Sequence, residues 1–371
     1  MTDDSDFMAR AIRLAEKGLY TTDPNPRVGC IIVKDNHVVG QGYHLTAGEG
    51  HAEAIAIAQA GDAAQGATAY VTLEPCSFHG RTPSCARALI EAGVNRVVAA
   101  MMDPHEKNAG AGFQILTEAG IEVSTPLLES SARLLNPGHV KRHETGLPYV
   151  RLKLAMSLDG KTALANGDSQ WITGEEARRD VQKLRARSSA IVTGVQTVID
   201  DDPNMTVRQN ELDAEHSELA AARKRPVYIL DPALRVNAEA SVVNNPDNVL
   251  VCIPGMAADK SFNCRLLEIE GDDRKRICLR SLLQQLALEN CNEVLFECGG
   301  TLGGKLIEQG LCDELVIYMA PRIMGSNARS LLNLPEIDTM GDLFDMKITD
   351  FRFIGDDIRI TAVPNQTRIE S

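Results

Sequence analysis

The chain has little that would tie it to nucleic acid, to a membrane or to an oxidising compartment. It lacks a basic excess: its 371 residues carry a formal net charge of −13. Proteins that act on nucleic acid draw most of their affinity from phosphate contacts and show a basic footprint. Residues 1–147 instead hold 12 Lys and Arg against 17 Asp and Glu, so no nucleic-acid partner is expected. No apolar run approaches the ~20 residues that span a bilayer. The opening Met1-Thr2-Asp3-Asp4-Ser5-Asp6 is acidic where a signal peptide is basic, so no membrane is expected either. The nine cysteines (30, 76, 85, 252, 264, 278, 291, 298 and 312) are odd in number and show no disulfide spacing. Free thiols in a reducing compartment, the cytoplasm, are the expectation. Apolar residues at 44% and charged residues at 24% describe a globular protein, and the length suits two domains.

The chemistry is concentrated in His51-Ala52-Glu53, Pro75-Cys76 and Cys85. One imidazole, two thiols and a carboxylate two residues past the imidazole are the parts of a zinc-dependent base deaminase. In such enzymes the glutamate, here Glu53, is not a ligand but moves protons. Three ligands, His51, Cys76 and Cys85, leave a coordination position for water, as a catalytic zinc requires. Ala52 to Ala60 is an Ala/Ile-rich helical run with His51 on its first turn, and Ser84 caps a second helix starting at Cys85. Two positive helix ends would then favour thiolate over thiol. Taken singly, each of these residues reads more simply as a buried side chain; the ordered set does not. Eight residues separate the cysteines where two are common. They bring His79, Arg81 and Thr82 beside the metal as candidates for a substrate phosphate or ribose; the plainer reading is a solvated loop.

Residues 6–18 read as an amphipathic helix, Thr22 to Pro26 as a rigid loop, and Val28 to Val33 with Val38 to Gly40 as paired strands around a Lys34-Asp35-Asn36 turn. Asn25 stands just before the first core strand, suited to a polar ligand or merely to capping a turn. The alternation that follows has strands at 69–73, 96–101 and 121–123 and helices from Cys85 and over 113–119. It predicts a largely parallel sheet covered on both faces, with ligands at the strand carboxyl ends where Cys76 and Asp103 fall. Asn136 to Pro148 is polar and interrupted by Pro and Gly, and the domain boundary is placed there, near residue 147.

Beyond it, Tyr149 to Met156 is an alternating strand, Glu175 to Arg187 a helix and Ala190 to Val195 a buried strand. Strands follow at 226–230 and 249–253, then a helix from Ser281 to Glu289. Residues 209–224 read as a surface insertion. Val294 to Glu297 runs into Cys298-Gly299-Gly300-Thr301-Leu302-Gly303-Gly304, ahead of a helix over 305–309. Strand, glycine-rich turn and helix start can cradle a phosphate, although glycines also serve tight packing. It is not the Rossmann fingerprint. Asp350 to Val363 looks like a terminal strand pair.

Asn25 to Cys30, His51-Ala52-Glu53, and Glu74-Pro75-Cys76 through His79 to Cys85 resemble the deaminase half of the bifunctional riboflavin-biosynthesis deaminase/reductase family. Lys153 to Gly160, Ser169 to Thr173, Asp201-Asp202-Pro203 and Glu297 to Gly304 resemble its reductase half. The resemblance covers nearly the whole chain. It implies a cytidine-deaminase-like α/β/α domain over 1–147 and a dihydrofolate-reductase-like α/β domain over 148–371. The implied reactions are zinc-assisted deamination of a diaminopyrimidinone ribosylamino 5′-phosphate, then NADPH reduction of the ribosyl group to ribityl. It implies zinc on His51, Cys76 and Cys85, with Glu53 catalytic. NADPH would contact Ala155, Trp171, Thr197, Asp201 and the Gly299–Gly304 turn. Asn25, His79, Arg81, Asp103, Lys153, Ser169, Arg185, Arg208 and Glu297 would hold substrate, and Lys153 and Glu297 are candidates for managing the proton that accompanies hydride transfer. The family has Asn where this chain has His105. A small phosphorylated pyrimidine is the expected partner, and a homo-oligomer, dimer or tetramer, the expected assembly. Two rival readings are a deaminase of another base fused to an unrelated reductase, and a non-catalytic protein with a structural zinc.

Overall fold

Apolar β-branched runs bounded by turn residues build the first unit. A computed structural model describes residues 3–78, 84–256 and 261–365, and the chain divides into two compact units, Met1–Leu147 and Pro148–Ser371. In the first, α1 (Asp4–Ala15) precedes β1 (Gly29–Lys34) and β2 (His37–Tyr43), which pair antiparallel around Asp35 and Asn36. Both turn residues have positive φ, 51° and 64°, as a tight hairpin turn demands. Then come α2 (Ala52–Ala60), β3 (Thr68–Val71), α3 (Cys85–Glu91), β4 (Arg96–Ala99), α4 (Ala111–Glu118) and β5 (Glu122–Ser124). The sheet order is β2-β1-β3-β4-β5. β1 is antiparallel to both neighbours and only β3/β4 and β4/β5 are parallel, so the expected largely parallel sheet is half antiparallel. The reason is β1: the hairpin reverses β2 against it, and the crossover through α2 runs β3 in the direction of β2 and so antiparallel to β1.

Two buried clusters cover the sheet faces. Cys30, Ile32, Ala69 and Val97 pack with Ala56 and Leu89, and Ile31, Tyr70 and Val98 pack with Phe7 and Met8. A Cβ on Gly42 would come within 2.4 Å of the Ala52 carbonyl oxygen, so glycine lets α2 lie close on β2 and sets the height of His51. The stretch from Asn136 is no open linker. After α5 (Glu129–Leu135) it forms α6 (Pro137–Thr145), with Pro137 in the first turn and Gly146 closing at φ 71°. Those same Pro and Gly residues, read as interruptions, are the start and stop signals of a helix.

The second unit is built on β6 (Tyr149–Ser157). After β7 (Lys161–Ala163) come α7 (Glu175–Arg187), β8 (Ala190–Gly194), α8 (Val195–Asp201), α9 (Ser217–Ala222), β9 (Val227–Leu230) and β10 (Val249–Cys252). β11 (Arg265–Glu268), α10 (Leu279–Leu288), β12 (Glu293–Glu297), α11 (Gly300–Glu308) and β13 (Glu314–Ala320) follow, then β14 (Arg329–Ser330), β15 (Met346–Ile354) and β16 (Asp357–Pro364). The nine-stranded order is β11-β10-β9-β8-β12-β6-β13-β16-β15, parallel from β11 to β13 and antiparallel at the last two strands. β12 returns to insert between β8 and β6, the kind of reversal at whose strand ends ligands settle. Residues 209–224 are more than a surface insertion, because Leu212 and Ala220 are buried.

Candidate active sites in the two units

In the first unit, His51 is the extended residue immediately before α2, and Cys85 is the first residue of α3. Ser84 caps α3, accepting from the Arg87 N–H at 3.5 Å and donating to the Cys76 carbonyl at 2.7 Å. The Ala86 N–H also donates to that carbonyl, at 3.2 Å. α3 is thus stitched to the Cys76 segment, and His51, Cys76 and Cys85 offer ligand atoms all within 4.8 Å of one another. His51 Nδ1 lies 3.2 Å from Cys85 Sγ and 3.7 Å from Cys76 Sγ. Bond lengths of ~2.0 Å to nitrogen and ~2.3 Å to sulfur give tetrahedral edges of about 3.6 Å, so the three atoms fit a zinc ion. Among the described residues the cluster holds no fourth His, Cys, Asp or Glu.

Electrostatics agree. Hydrogen bonds from Cys85 and His51 hold the Cys76 thiol down at about 4 against its burial. The Cys76 hydrogen bond and burial push Cys85 up, so Cys76 gives up its proton first. Glu53 is buried at 3% exposure, and desolvation followed by the nearby Cys76 raises its carboxyl to about 7.

Asn25 is brought in as well, its side-chain amide 3.0 Å from His44 Nε2. His44 Nδ1 meets the Gly50 carbonyl at 3.1 Å, and its ring stands edge-on to His51 at 5.3 Å. The sequence held no signal for His44, a lone histidine at a strand end. Asp103 follows β4, and its backbone N–H donates to Glu74 Oε2 at 3.1 Å. Nothing in the sequence marks Glu74 beyond its place ahead of Pro75-Cys76. It is buried at 3% exposure and also accepts from the N–H groups of Gly110 at 2.9 Å and Gly112 at 2.9 Å. His79 and Arg81 lie outside the described residues.

In the second unit, Lys153 on β6 stands in register with Glu297 on β12. Arg185 from α7 grips Glu297 with Nε–Oε1 at 2.6 Å and Nη2–Oε2 at 3.0 Å. Burial pulls the Lys153 ammonium below its ordinary value, with Glu297 acting against that. Burial pushes Glu297 up, but Arg185 and Lys153 outweigh it and leave the carboxyl lowered. Asp201 accepts from Gln170 Nε2 at 2.6 Å, bringing the segment of Ser169 and Trp171 to the last residue of α8, and Thr197, one turn earlier on that helix, is half-buried. Trp171 is 61% exposed with the Arg178 guanidinium 4.7 Å from its ring centroid. Ala155 is half-buried on β6, two residues on from Lys153. The Arg208 guanidinium pairs with Glu211 at 2.9 Å, and its backbone N–H donates to Gln182 Oε1 on α7 at 3.0 Å.

The glycine-rich stretch needs a correction. The helix expected over 305–309 begins at Gly300, so Gly303 and Gly304 lie inside it. A Cβ on Gly304 would sit 2.2 Å from the Asn333 carbonyl oxygen and one on Gly303 3.3 Å from Leu152, whereas one on Gly299 meets nothing. Close packing explains the later glycines; only Gly299, Gly300, Thr301 and Leu302 belong to the turn and first helical residues.

A zinc centre with room for water beside a buried proton carrier is what a base deaminase needs. The fold and the two sites together define a zinc-dependent deaminase unit followed by a dihydrofolate-reductase-like reductase unit. Comparison with known proteins agrees. The family model described as cytidine and deoxycytidylate deaminase zinc-binding region matches residues 1–101, and that described as RibD C-terminal domain matches residues 148–360. The riboflavin biosynthesis protein RibD of Escherichia coli (strain K12) is 47% identical over 364 residues, 97% of this chain and 99% of that protein. A solved structure of Acinetobacter baumannii RibD is 44% identical with a TM-score of 0.89, covering 98% of this chain and 99% of that one. The Thermotoga maritima diaminohydroxyphosphoribosylaminopyrimidine deaminase/5-amino-6-(5-phosphoribosylamino)uracil reductase is 28% identical with a TM-score of 0.83, covering 98% and 99%. The chain belongs to the RibD family, bifunctional deaminase/reductases of riboflavin biosynthesis that use zinc and NADPH.

Proposed function

We propose that the first unit deaminates 2,5-diamino-6-ribosylamino-4(3H)-pyrimidinone 5′-phosphate and that the second reduces the ribosyl group of 5-amino-6-(5-phosphoribosylamino)uracil to ribityl. The observation that carries the reading is the three-atom cluster of His51, Cys76 and Cys85 with Glu53 buried beside it. Zinc, when bound, supplies the Lewis acidity that makes water a nucleophile at neutral pH. Glu53 takes the proton of the attacking water and delivers it to the departing amino nitrogen; burial, which keeps its carboxyl basic, suits it to both transfers. Asn25 and Asp103 hold the pyrimidine, and His79 and Arg81 its phosphate.

In the reductase, opening of the ribose exposes a carbonyl that accepts hydride, and the resulting alkoxide needs a proton. Lys153, its ammonium weakened by burial, is the donor, and Glu297, held by Arg185, orients it. Ala155, Trp171, Thr197, Asp201, Gly299, Gly300, Thr301 and Leu302 contact NADPH, and Gly303 and Gly304 let the helix that carries this turn pack close. Ser169, Arg185 and Arg208 bind substrate. The outer edge strand β15 exposes Ile348, Phe351 and Phe353, which supports self-association as a dimer or tetramer. Nine free thiols support a cytoplasmic setting, and no helix among the described residues is long and apolar enough to cross a membrane.

The test is mass spectrometry of the diaminopyrimidine phosphate incubated with the protein. Exchange of an amino group for oxygen should appear without NADPH, and a gain of two hydrogens only with it. A product that gains the hydrogens but keeps both amino groups, or that shows neither change, refutes the assignment.

A further inference from the structure

Three imidazoles gather on the far side of Asp103 from the Glu74 carboxylate. The ring centroids of His105 and His143 are 4.4 Å apart and those of His139 and His143 are 4.7 Å apart. His139, on α6, is buried at 6% exposure, and its Nε2 lies 2.9 Å from Asp103 Oδ1. Its other nitrogen, Nδ1, is buried with no hydrogen-bond partner. A buried imidazole is costly unless it is hydrogen-bonded, so the Asp103 contact is the one that accounts for a polar ring here. With Nδ1 bare, the proton sits on Nε2 and the ring donates to the carboxylate.

The helix is held in place independently. The Asn136 side chain accepts from the Arg27 N–H and donates to the Arg27 carbonyl, both at 2.8 Å, and Arg27 Nη1 donates to the Leu135 carbonyl at 2.7 Å. His143 faces His139, His105 and Arg142, whose Nη2 lies 3.2 Å from His143 Nε2. Burial first, then the charge of those neighbours acting against Asp103, keeps His143 low, with a pKa of about 4.

Asp103 is therefore fixed twice. Its backbone N–H is tied to Glu74, two residues before Cys76, and its Oδ1 receives His139 Nε2 and the His105 N–H at 3.0 Å. Among the described residues, Oδ2 receives only Asn108 Nδ2 at a long 3.4 Å. We infer that His139 is a positioning residue for deamination, tying one oxygen of Asp103 to the protein so that the other is presented to an N–H or O–H donor of the substrate. This rests on the reading of Asp103 as a substrate contact.

In the full-length protein, His139→Phe keeps the volume and removes the donor, while His139→Gln keeps a donor. H139F is expected to retain its zinc and its NADPH-dependent reductase rate, while the deaminase KM rises about ten-fold and kcat moves less. H139Q recovers most of that loss. Asp103→Asn raises KM alike, and combining it with H139F adds nothing further, as coupled neighbours require. An unchanged KM in H139F beside an impaired D103N overturns the inference and leaves Asp103 a substrate contact. An unchanged KM in D103N overturns both. Loss of zinc, or an equal fall of both activities in H139F and H139Q, marks a ring with a structural role alone and overturns the inference as well.

Discussion

Replacing Glu74 by Gln tests how the deaminase loops are held. The carboxylate accepts from three backbone donors: Oε1 from Gly110 and Gly112, Oε2 from Asp103 and Gly110. Glutamine keeps one acceptor oxygen and turns the other into a donor, which then confronts either the Gly112 or the Asp103 N–H. A hydrogen bond to a charged group is worth ~1.5–3 kcal/mol, and a buried donor left without a partner costs ~1–3 kcal/mol. The exchange should therefore remove about 3–5 kcal/mol, a large part of the ~5–15 kcal/mol that holds a domain folded. For a unit of this size each kcal/mol moves the melting midpoint by ~2–4 °C, and the deaminase transition should fall by about 10 °C. The assay is a thermal melt of the full-length protein, read alongside zinc content and both activities. Deamination should fall because Asp103 and the loop it opens are loosened, while the reductase rate stays level. A midpoint and a deaminase rate both unaltered in Glu74→Gln would refute the reasoning.

Glu53→Ala should retain zinc and lose ~10²–10⁴-fold in deamination; normal turnover in that variant is incompatible with Glu53 as proton carrier. NADPH should quench the fluorescence of Trp171, the only tryptophan, more strongly than NADH does, and silence with both would count against cofactor contact there. Arg151, fully buried, bonds Glu314 Oε1 at 2.5 Å and Glu293 Oε2 at 3.2 Å. Burial pushes the Glu314 carboxyl up, but Arg151 outweighs it and leaves the folded value lowered. A carboxyl lowered on folding stabilises above its unfolded pKa of ~4.3 and loses that contribution as pH falls through the folded value. The urea midpoint of the reductase unit should therefore drop as pH falls below about 4.3. Arg151→Met should flatten that dependence and cost ~3–5 kcal/mol at neutral pH; a midpoint indifferent to both changes would contradict the account.

Residue type and order along the chain picked out the zinc set and the carboxylate proposed as its proton carrier. Few other chemistries need one imidazole, two thiols and a glutamate two residues past the imidazole, so His51, Glu53, Cys76 and Cys85 were legible without a fold. The strands were legible for the same kind of reason, because burial on both faces leaves apolar runs such as 190–194 and 294–297. Only the tertiary structure decided which ordinary residues gain partners in the rest of the deaminase unit. Glu74 is a glutamate like any other until three N–H groups converge on it, and His44 and His139 gain partners from segments 6 and 36 residues away. Gly303 and Gly304 read in the sequence either as part of a phosphate cradle or as tight packing, and the fold sets them close against β6 and the Asn333 backbone. Side-chain chemistry is local and written in the letters; a hydrogen-bond partner or a packing neighbour is a property of distance in space, which only the folded chain supplies.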